Sequence, residues 1–235
     1  MNIKAGHSSH QIYLSENFIP SPMKGFKAVL FDMDGTLIYS KGVIGRCVNE
    51  TLEHFGLEPF DKAELHKLIG VPLRKALSLK TSDVNPLMDY FRKLYISIYM
   101  EETWVYDGMA SILTWLKDEG KKTGVVTLKA THVAEEVLKG LNISRYVDAV
   151  EGDDDMSELK PSPHQINRIC KKLEIEPEQT VVIGDTTMDI VAGKNAGCRT
   201  IGVLWGAMSM DDLVKAGADF LARSPKELEG LLKKL

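Results

Sequence analysis

The sequence has few cysteines, no long apolar run and no strong excess of charge of either sign. Its three cysteines, Cys47, Cys170 and Cys198, lie far apart and form no CxxC pair. Neither a zinc knuckle nor a redox dithiol is therefore expected. The 29 lysines and arginines are outnumbered by 33 aspartates and glutamates, and the lack of a basic excess argues against nucleic-acid binding.

The sequence also lacks the features of a membrane or secreted protein. No apolar run approaches the about 20 residues that a membrane-spanning helix needs, and the N-terminal region has no apolar stretch typical of a secretory signal. We therefore expect no membrane association and a cytoplasmic location. Residues 1–24 are rich in Ser, His, Asn and Pro without sustained periodicity, which predicts a loosely ordered leader.

Short apolar runs without polar alternation recur along the rest of the chain, at residues 28–31, 123–127, 180–184 and 200–204. Such runs are typical of strands that are buried on both faces of a sheet. Apolar residues at helical spacing lie between them. Strands that alternate with helices predict an α/β fold, with a Rossmann-like parallel sheet covered by helices on both faces.

One segment interrupts this alternation. Residues 41–103 contain no strand pattern and carry helical patterns at 43–55, 62–68, 73–79 and 87–100. We therefore predict an α/β core domain made of residues 25–40 and 104–235. Residues 41–103 would form a small helical cap domain inserted after the first strand.

Polar side chains follow the predicted strands at their carboxyl ends, where open α/β sheets bind ligands. The segments concerned are Asp32-Met33-Asp34-Gly35-Thr36, Thr127, Lys160-Pro161 and Gly184-Asp185-Thr186-Thr187-Met188-Asp189. We expect two pairs of aspartates, a hydroxyl and a lysine to converge on one crevice.

Phosphoryl transfer is the chemistry that suits these groups. A phosphate monoester is doubly anionic near neutral pH, and a divalent cation can screen its repulsion from an anionic nucleophile. Oxygen ligands from Asp32, Asp185 and a backbone carbonyl suit Mg²⁺. Asp32 is ionised at neutral pH, so it needs no general base to attack. Asp34 can then protonate the leaving oxygen and later activate water.

The remaining polar groups have supporting roles in this interpretation. Lys160 can neutralise phosphate charge, and the Thr127 hydroxyl can donate a hydrogen bond to a phosphate oxygen. Asp189 can hold Lys160 or reach the metal through water. Gly35 permits the tight backbone that a phosphate-binding loop needs.

In this order and context, the four motifs resemble those of the haloacid dehalogenase-like superfamily. Their spacing is similar to that of its phosphoglycolate phosphatase and β-phosphoglucomutase branch, in which a helical cap follows the first motif. The resemblance covers residues 26–235. It implies that Asp32 is the nucleophile and Asp34 the acid/base. It also implies that Asp32, the Asp34 carbonyl and Asp185 are the Mg²⁺ ligands, with Asp189 in the metal's surroundings. Thr127 and Lys160 would bind the phosphate.

The sequence departs from the family pattern at two positions. Tyr39 precedes Ser40 where the first motif often continues with Asp, and Leu128 follows Thr127 where the second motif usually has Asn or Ser. Leu128 has no hydrogen-bonding side chain, so we expect one family contact with the substrate or the metal's surroundings to be missing.

Two further features concern the surroundings of the site. Arg74 follows a Gly/Pro turn in the predicted cap and can pair with a carboxylate or a second phosphate of the substrate; the alternative is an exposed arginine at a helix start. The acidic run at residues 153–155 is interpreted as a solvated loop.

The leading function is therefore that of a Mg²⁺-dependent phosphatase. It would hydrolyse a small phosphorylated metabolite through an aspartyl-phosphate intermediate. The alternatives are a phosphomutase that acts on a sugar phosphate and a non-catalytic binding module with the same fold. Phosphoglycolate, sugar phosphates, nucleotides and pyrophosphate all remain open as substrates.

Overall fold

The computed structural model describes residues 25–68, 70–154 and 158–235. The predicted leader, residues 1–24, lies outside the described residues. The strands are β1 (Ala28–Phe31), β2 (Ile38–Tyr39), β3 (Trp104–Val105), β4 (Lys122–Val126), β5 (Ala149–Glu151), β6 (Thr180–Gly184), β7 (Arg199–Val203) and β8 (Phe220–Ala222). The helices are α1 (Lys41–His54), α2 (Lys62–Lys67), α3 (Leu73–Leu77), α4 (Asn85–Ile98), α5 (Met109–Asp118), α6 (Thr131–Gly140), α7 (His164–Leu173), α8 (Thr187–Ala196), α9 (Met210–Lys215) and α10 (Pro225–Leu232).

Six strands form one parallel sheet in the order β5-β4-β1-β6-β7-β8, which confirms the predicted α/β class. Strand β1 lies in the middle, and Phe31 is aligned with Val125 on one side and with Ile183 on the other. Because these three strands are parallel and in register, the residues that follow them emerge at one edge of the sheet.

Both faces of the sheet are covered, as the uninterrupted apolar runs predict. Val29 and Phe31 of β1 belong to one buried cluster, with side chains of α5, α6 and α10. Ala28 and Leu30 belong to a second cluster, with side chains of α7 and α8. Successive side chains of a strand point to opposite faces, so a strand between two helical layers has to be apolar at every position.

The long elements agree with the sequence patterns within a few residues, and so do the short helices α2 and α3, whereas the short strands were missed. Strands β5 and β8 have three residues each and lie at the edges of the sheet. Strands β2 and β3 form a separate antiparallel pair of two residues each. Elements this short are below the length at which a periodic pattern can be recognised.

Helices α1 to α4 follow one another between β2 and β3, without a strand among their described residues. Helices α1 and α4 pack against each other, and Cys47, Leu52, Met88 and Phe91 are among the side chains that they bury. The predicted helical content of residues 41–103 is therefore observed, while their separation as a cap domain stays a prediction. Within the described ranges, no helix has both the length and the apolar character needed to cross a membrane.

Candidate active site

A cavity of about 980 Å³ opens at the carboxyl edge of the sheet, where β1, β4 and β6 end. Among the predicted site residues, Asp32, Asp34, Thr127, Lys160 and Asp185 all line it. Side chains of α1, α2 and α4 line its other side. The cavity therefore lies between the sheet edge and the inserted helices.

Asp32 directly follows β1 and is held by the lysine that the sequence analysis selected. Lys160 Nζ donates to Asp32 Oδ1 at 2.7 Å, to Asp189 Oδ1 at 2.5 Å and to the carbonyl of Val126 at 3.0 Å. These three bonds use the three N–H donors of the ammonium group. The side chains of Lys160 and Asp32 are 4% and 11% exposed, so the pair is shielded from bulk water.

Asp189 lies behind this pair and does not line the cavity. Its Oδ2 accepts hydrogen bonds from the amide and the hydroxyl of Thr186, at 3.1 Å and 2.6 Å, at the N-terminus of α8. Since its other oxygen accepts from Lys160, Asp189 holds Lys160 from behind. This contact is the one that the first of its two suggested roles requires, and the role itself stays a prediction.

Asp185 follows β6 and lies in a narrow space between two glycines. A Cβ atom built on Gly35 would lie 2.3 Å from its Oδ2, and one built on Gly206 would lie 2.2 Å from the same atom. The amide of Ala207 donates to this oxygen at 2.7 Å. The backbone thus approaches the carboxylate more closely than any residue with a side chain would allow.

Carboxylate oxygens of Asp32, Asp185 and Asp189 all lie within 4.8 Å of one another. Burial raises the pKa of Asp185 to about 7, and the Asp189 charge contributes in the same direction. Burial likewise raises the pKa of Asp32 well above its usual range, against the effect of Lys160. Lys160 donates to Asp32 and Asp189, whereas Asp185 accepts from the amide of Ala207. Three carboxyl groups beside a single ammonium group offer hard oxygen donors, and such donors fit a divalent metal ion.

Asp34 also lines the cavity, and it is held by a residue that the sequence analysis missed. Lys129 Nζ donates to both carboxylate oxygens of Asp34, at 2.7 and 2.6 Å. The hydroxyl of Ser40 donates to Oδ1 as well. Burial disfavours the charged form of Lys129, but Asp34 and Tyr95 together outweigh this and raise the pKa of the lysine.

Lys129 also connects the strand-end loops with the inserted helices. Its Nζ lies 4.8 Å from the ring centroid of Tyr95 in α4, which is a cation–π contact. Burial raises the pKa of the Tyr95 hydroxyl to about 12, and this residue is 1% exposed. In the sequence, the feature that could have identified Lys129 as a site residue was its position, two residues after Thr127 at the end of a predicted strand.

Thr127 is buried, and its hydroxyl oxygen accepts a hydrogen bond from the amide of Lys129 at 3.2 Å. Its carbonyl accepts from Gln165 in α7 at 3.1 Å, which fixes the end of β4. Leu128, one of the two departures, also lines the cavity, where it contributes apolar surface. Tyr39, the other departure, lines the cavity too and stacks on Trp104 with 4.3 Å between the ring centroids.

The structure separates Arg74 from the other predicted site residues. Its guanidinium donates to the side chain of Asn85 at 2.8 Å, and Arg74 does not line the cavity. Arg92 of α4 does line it, although no sequence pattern distinguished this arginine from other helical arginines. The role of Arg74 in substrate selection stays a prediction.

The interpretation of residues 153–155 as a solvated loop was wrong for Asp153. Asp153 is 7% exposed and lines the cavity, whereas Asp154 is exposed and Asp155 lies outside the described residues. The backbone amide of Asp153 donates to the carbonyl of Lys129 at 2.8 Å, which ties this loop to the end of β4. A run of like charges favours solvation on average, but the parallel pairing of β4 with β5 draws its first residue inward.

Comparison with known proteins assigns this arrangement to a family. The model of the haloacid dehalogenase-like hydrolases matches residues 29–203, a stretch that runs from β1 to the end of β7 and includes every predicted site residue. The chain belongs to the haloacid dehalogenase-like hydrolase family.

Individual relatives cover almost the whole chain. A phosphoglycolate phosphatase of Aquifex aeolicus is 35% identical over 208 residues, which are 88% of this chain and 96% of that protein. The pyrophosphatase PpaX of Anoxybacillus flavithermus is 30% identical over 209 residues, 87% of this chain and 95% of that protein. Within its family, the chain is a phosphatase.

A solved structure agrees with the fold. A chain from Clostridium acetobutylicum, described as a predicted phosphatase, superposes with a TM-score of 0.80 at 29% identity. The match covers 90% of this chain and 100% of the other. The similarity therefore extends over the inserted helices as well as the sheet.

Proposed function

We propose that this phosphatase hydrolyses a small phosphomonoester in a Mg²⁺-dependent reaction, through an aspartyl-phosphate formed on Asp32. The observation that carries the proposal is the position of Asp32. Its carboxylate lines the cavity, is oriented by Lys160, and has oxygens of Asp185 and Asp189 within 4.8 Å.

Asp32, the backbone carbonyl of Asp34, and Asp185 would hold the magnesium ion. When bound, Mg²⁺ supplies charge neutralisation and polarises the phosphoryl group for attack. Asp189 supports the site from behind, because both of its oxygens already accept hydrogen bonds from Lys160 and Thr186.

Asp32 acts as the nucleophile. Lys160 binds Oδ1 of Asp32 and thereby fixes the orientation of the carboxylate. One oxygen of Asp32 attacks phosphorus, the bond from phosphorus to the leaving oxygen breaks, and a phosphoryl group remains on the aspartate. The Thr127 hydroxyl donates to a phosphoryl oxygen, and the Lys160 ammonium neutralises part of its charge.

Asp34 moves protons in both steps. As an acid it protonates the leaving oxygen, and as a base it later takes a proton from the water that hydrolyses the aspartyl-phosphate. The ammonium of Lys129 and the hydroxyl of Ser40 position its carboxylate toward the cavity. Lys129 is therefore a positioning residue in this mechanism.

Residues 41–103 act as a cap over the site. Helices of this segment form the wall of the cavity opposite the sheet edge. Closing this wall over the substrate excludes bulk water and limits the reaction to compact substrates. The named activities of the relatives make phosphoglycolate and pyrophosphate the first small phosphate compounds to assay.

Hydrolysis of p-nitrophenyl phosphate tests the proposal, since this ester needs little recognition of its leaving group. We expect turnover with Mg²⁺, loss of turnover with excess EDTA, and recovery when Mg²⁺ is restored. A chain without turnover at saturating Mg²⁺ would be a binding module with the same fold. Undiminished turnover in excess chelator would refute the metal dependence alone.

A further inference from the structure

Gln165 is a buried amide side chain behind the cavity, and the proposed reaction does not use it. The residue is 0% exposed and does not line the cavity. The other side chains that α7 buries carry neither an amide nor a charge, and they are Ile166, Ile169, Cys170 and Leu173. Burying an amide costs free energy unless its polar groups are hydrogen-bonded. The partners of Gln165 therefore indicate why a polar side chain occupies this position.

Three segments of the main chain meet at the Gln165 side chain. Its Nε2 donates to the carbonyl of Thr127 at 3.1 Å and to the carbonyl of Gly152 at 2.8 Å. Its Oε1 accepts a hydrogen bond from the backbone amide of Lys160 at 3.2 Å. These bonds use both donors of the side-chain amide and its oxygen. A single side chain thus connects the ends of β4 and β5 with the segment that precedes α7.

These main-chain groups lie where the sheet no longer supplies partners. Thr127 and Gly152 are the first residues after β4 and β5, and Lys160 lies outside the helices and strands. All three residues are buried, and a buried backbone group without a partner destabilises the fold. Gln165 satisfies one such group in each of the three segments and fixes them relative to one another.

Lys160 is thereby tied to the end of β4 through its main chain as well as its side chain. Its backbone amide is connected to Thr127 through Gln165, and its Nζ donates directly to the carbonyl of Val126 at 3.0 Å. In the proposed reaction, the Thr127 hydroxyl and the Lys160 ammonium bind the same phosphoryl group. Their separation must therefore match the size of a phosphate, and a misplacement of about 1 Å can cost about 10²-fold in rate.

We propose that Gln165 is a positioning residue, which holds the Thr127 hydroxyl and the Lys160 ammonium at the separation that phosphate binding requires. The inference rests on the proposed function, because that proposal assigns phosphate binding to Thr127 and Lys160. Gln165 touches neither the substrate nor the metal and acts through the main-chain segments that it joins.

The test replaces Gln165 with methionine and measures the binding of inorganic phosphate by calorimetry at saturating Mg²⁺. Gln165→Met keeps an unbranched side chain of similar length and removes all three hydrogen bonds. We expect Kd for phosphate to rise by about tenfold or more, and KM for p-nitrophenyl phosphate to rise with it. A side chain that served stability alone would lower the folded fraction and the apparent kcat but leave Kd and KM unchanged, and that result would overturn the inference.

Asn49→Leu is the matched control, because it removes another amide that is bonded to the main chain. Asn49 Nδ2 donates to the carbonyl of Phe60 and its Oδ1 accepts from the amide of Phe60, both at 2.9 Å. Neither residue lines the cavity. We expect this variant to lose stability and to keep Kd for phosphate. An equal rise of Kd in Asn49→Leu and Gln165→Met would overturn the inference.

A double-mutant cycle with Thr127→Val tests whether Gln165 acts through the hydroxyl of Thr127. Without that hydroxyl, part of what Gln165 positions is already lost. The rise of Kd in the double variant should therefore be about threefold or more below the product of the two separate rises. A rise equal to that product would overturn the inference, because independent effects multiply.

Gln165→Glu is the second variant, should Gln165→Met fail to fold. It keeps an oxygen for the amide of Lys160, but a carboxyl group has one donor at most, where the amide has two. We expect Kd for phosphate to rise by about threefold or more, and an unchanged Kd would overturn the inference. Calorimetry needs no turnover, so a chain that shows these changes without hydrolysing p-nitrophenyl phosphate would refute the proposed function and support the role of Gln165.

Discussion

Two lysines hold the aspartates of the site, the buried Lys160 and the partly buried Lys129, and they belong to different regions of the molecule. Lys160 binds Asp32, Asp189 and the carbonyl of Val126, all within the strand-end region. Lys129 binds Asp34 and contacts Tyr95 of α4, so it joins the strand ends to the inserted helices. The first lysine depends on the strand ends and on the first turn of α8, and the second depends on how the inserted helices lie over the strand ends.

The difference separates two tasks. The side chains of Lys160 and Asp189 are 4% and 2% exposed, whereas those of Lys129 and Asp34 are 12% and 26% exposed. In the proposed mechanism, the nucleophile and the metal site need a rigid surrounding, which the sheet edge provides. The proposed acid/base has to exchange protons with substrate and water, and its carboxylate is accordingly the more exposed of the two aspartates.

The largest effects should come from the aspartates themselves. Asp34→Asn keeps the backbone carbonyl but cannot give or take a proton, so we expect turnover of p-nitrophenyl phosphate to fall by about 10²–10⁴-fold. Because this leaving group needs little protonation, attack should continue, and a phosphoryl adduct should accumulate and be visible by intact-mass spectrometry.

Asp32→Asn is the control for this experiment, because it removes the nucleophile. It should show neither turnover nor adduct. Normal turnover in Asp34→Asn would exclude its role as acid/base, and normal turnover in Asp32→Asn would exclude the covalent mechanism.

Replacing the two lysines compares the two regions directly. Lys160→Met leaves two buried aspartates without their cation, and we expect a loss of about 3–5 kcal/mol in the free energy of unfolding in EDTA. Lys129→Met leaves the more exposed Asp34 with its Ser40 hydrogen bond, so the loss should be smaller, about 1–2 kcal/mol. Urea denaturation measures both values, and equal losses would contradict the distinction between the regions.

The two arginines of the inserted helices give a smaller contrast. Arg92 lines the cavity and Arg74 does not, so Arg92→Ala should raise KM for phosphoglycolate by about tenfold. Arg74→Ala should raise it less, because this side chain already donates to Asn85. Steady-state kinetics of both variants measures the two changes in KM. A larger rise in KM for Arg74→Ala than for Arg92→Ala would support the role of Arg74 in substrate selection that the sequence suggested.

The smallest expected effect concerns stability and pH at Asp153. Its folded-state pKa of about 6 lies above the unfolded value, so ionisation destabilises the folded protein progressively as the pH rises from about 4 through 6. Asp153→Asn should therefore be more stable than the unmodified protein at pH 8, by about 1 kcal/mol once solvent in the cavity is taken into account. Urea denaturation should show this gain shrinking at pH 5, and a gain independent of pH would have another cause.

Local patterns in the sequence predicted most of the sheet and helices. The segments that form β1, β4, β6 and β7 are largely apolar at successive positions. This local pattern is enough to indicate a strand that is buried on both faces of a sheet. The edge strands β5 and β8 and the pair β2–β3 were missed, because two or three residues carry no recognisable period.

The sequence also identified the residues at the strand ends. Asp32, Thr127 and Asp185 follow strands that it predicted, and parallel strands bring such residues to one edge of the sheet. Their convergence on one cavity therefore follows from the sequence pattern itself. The assignment of a chemical role to each residue remains the proposal made above.

The contacts between the strand ends and the inserted helices could be decided only by the tertiary structure. The position of Lys129 after Thr127 places it near the strand ends but does not name its partners. Nothing in the local sequence distinguishes Arg92 from Arg74, or the buried Asp153 from the exposed Asp154. Their surroundings come from segments far away in the chain: α4 supplies Tyr95 and Arg92, and the pairing of β5 with β4 draws Asp153 inward. Periodicity reports burial within one element, whereas the partner of a charged side chain depends on how separate elements pack.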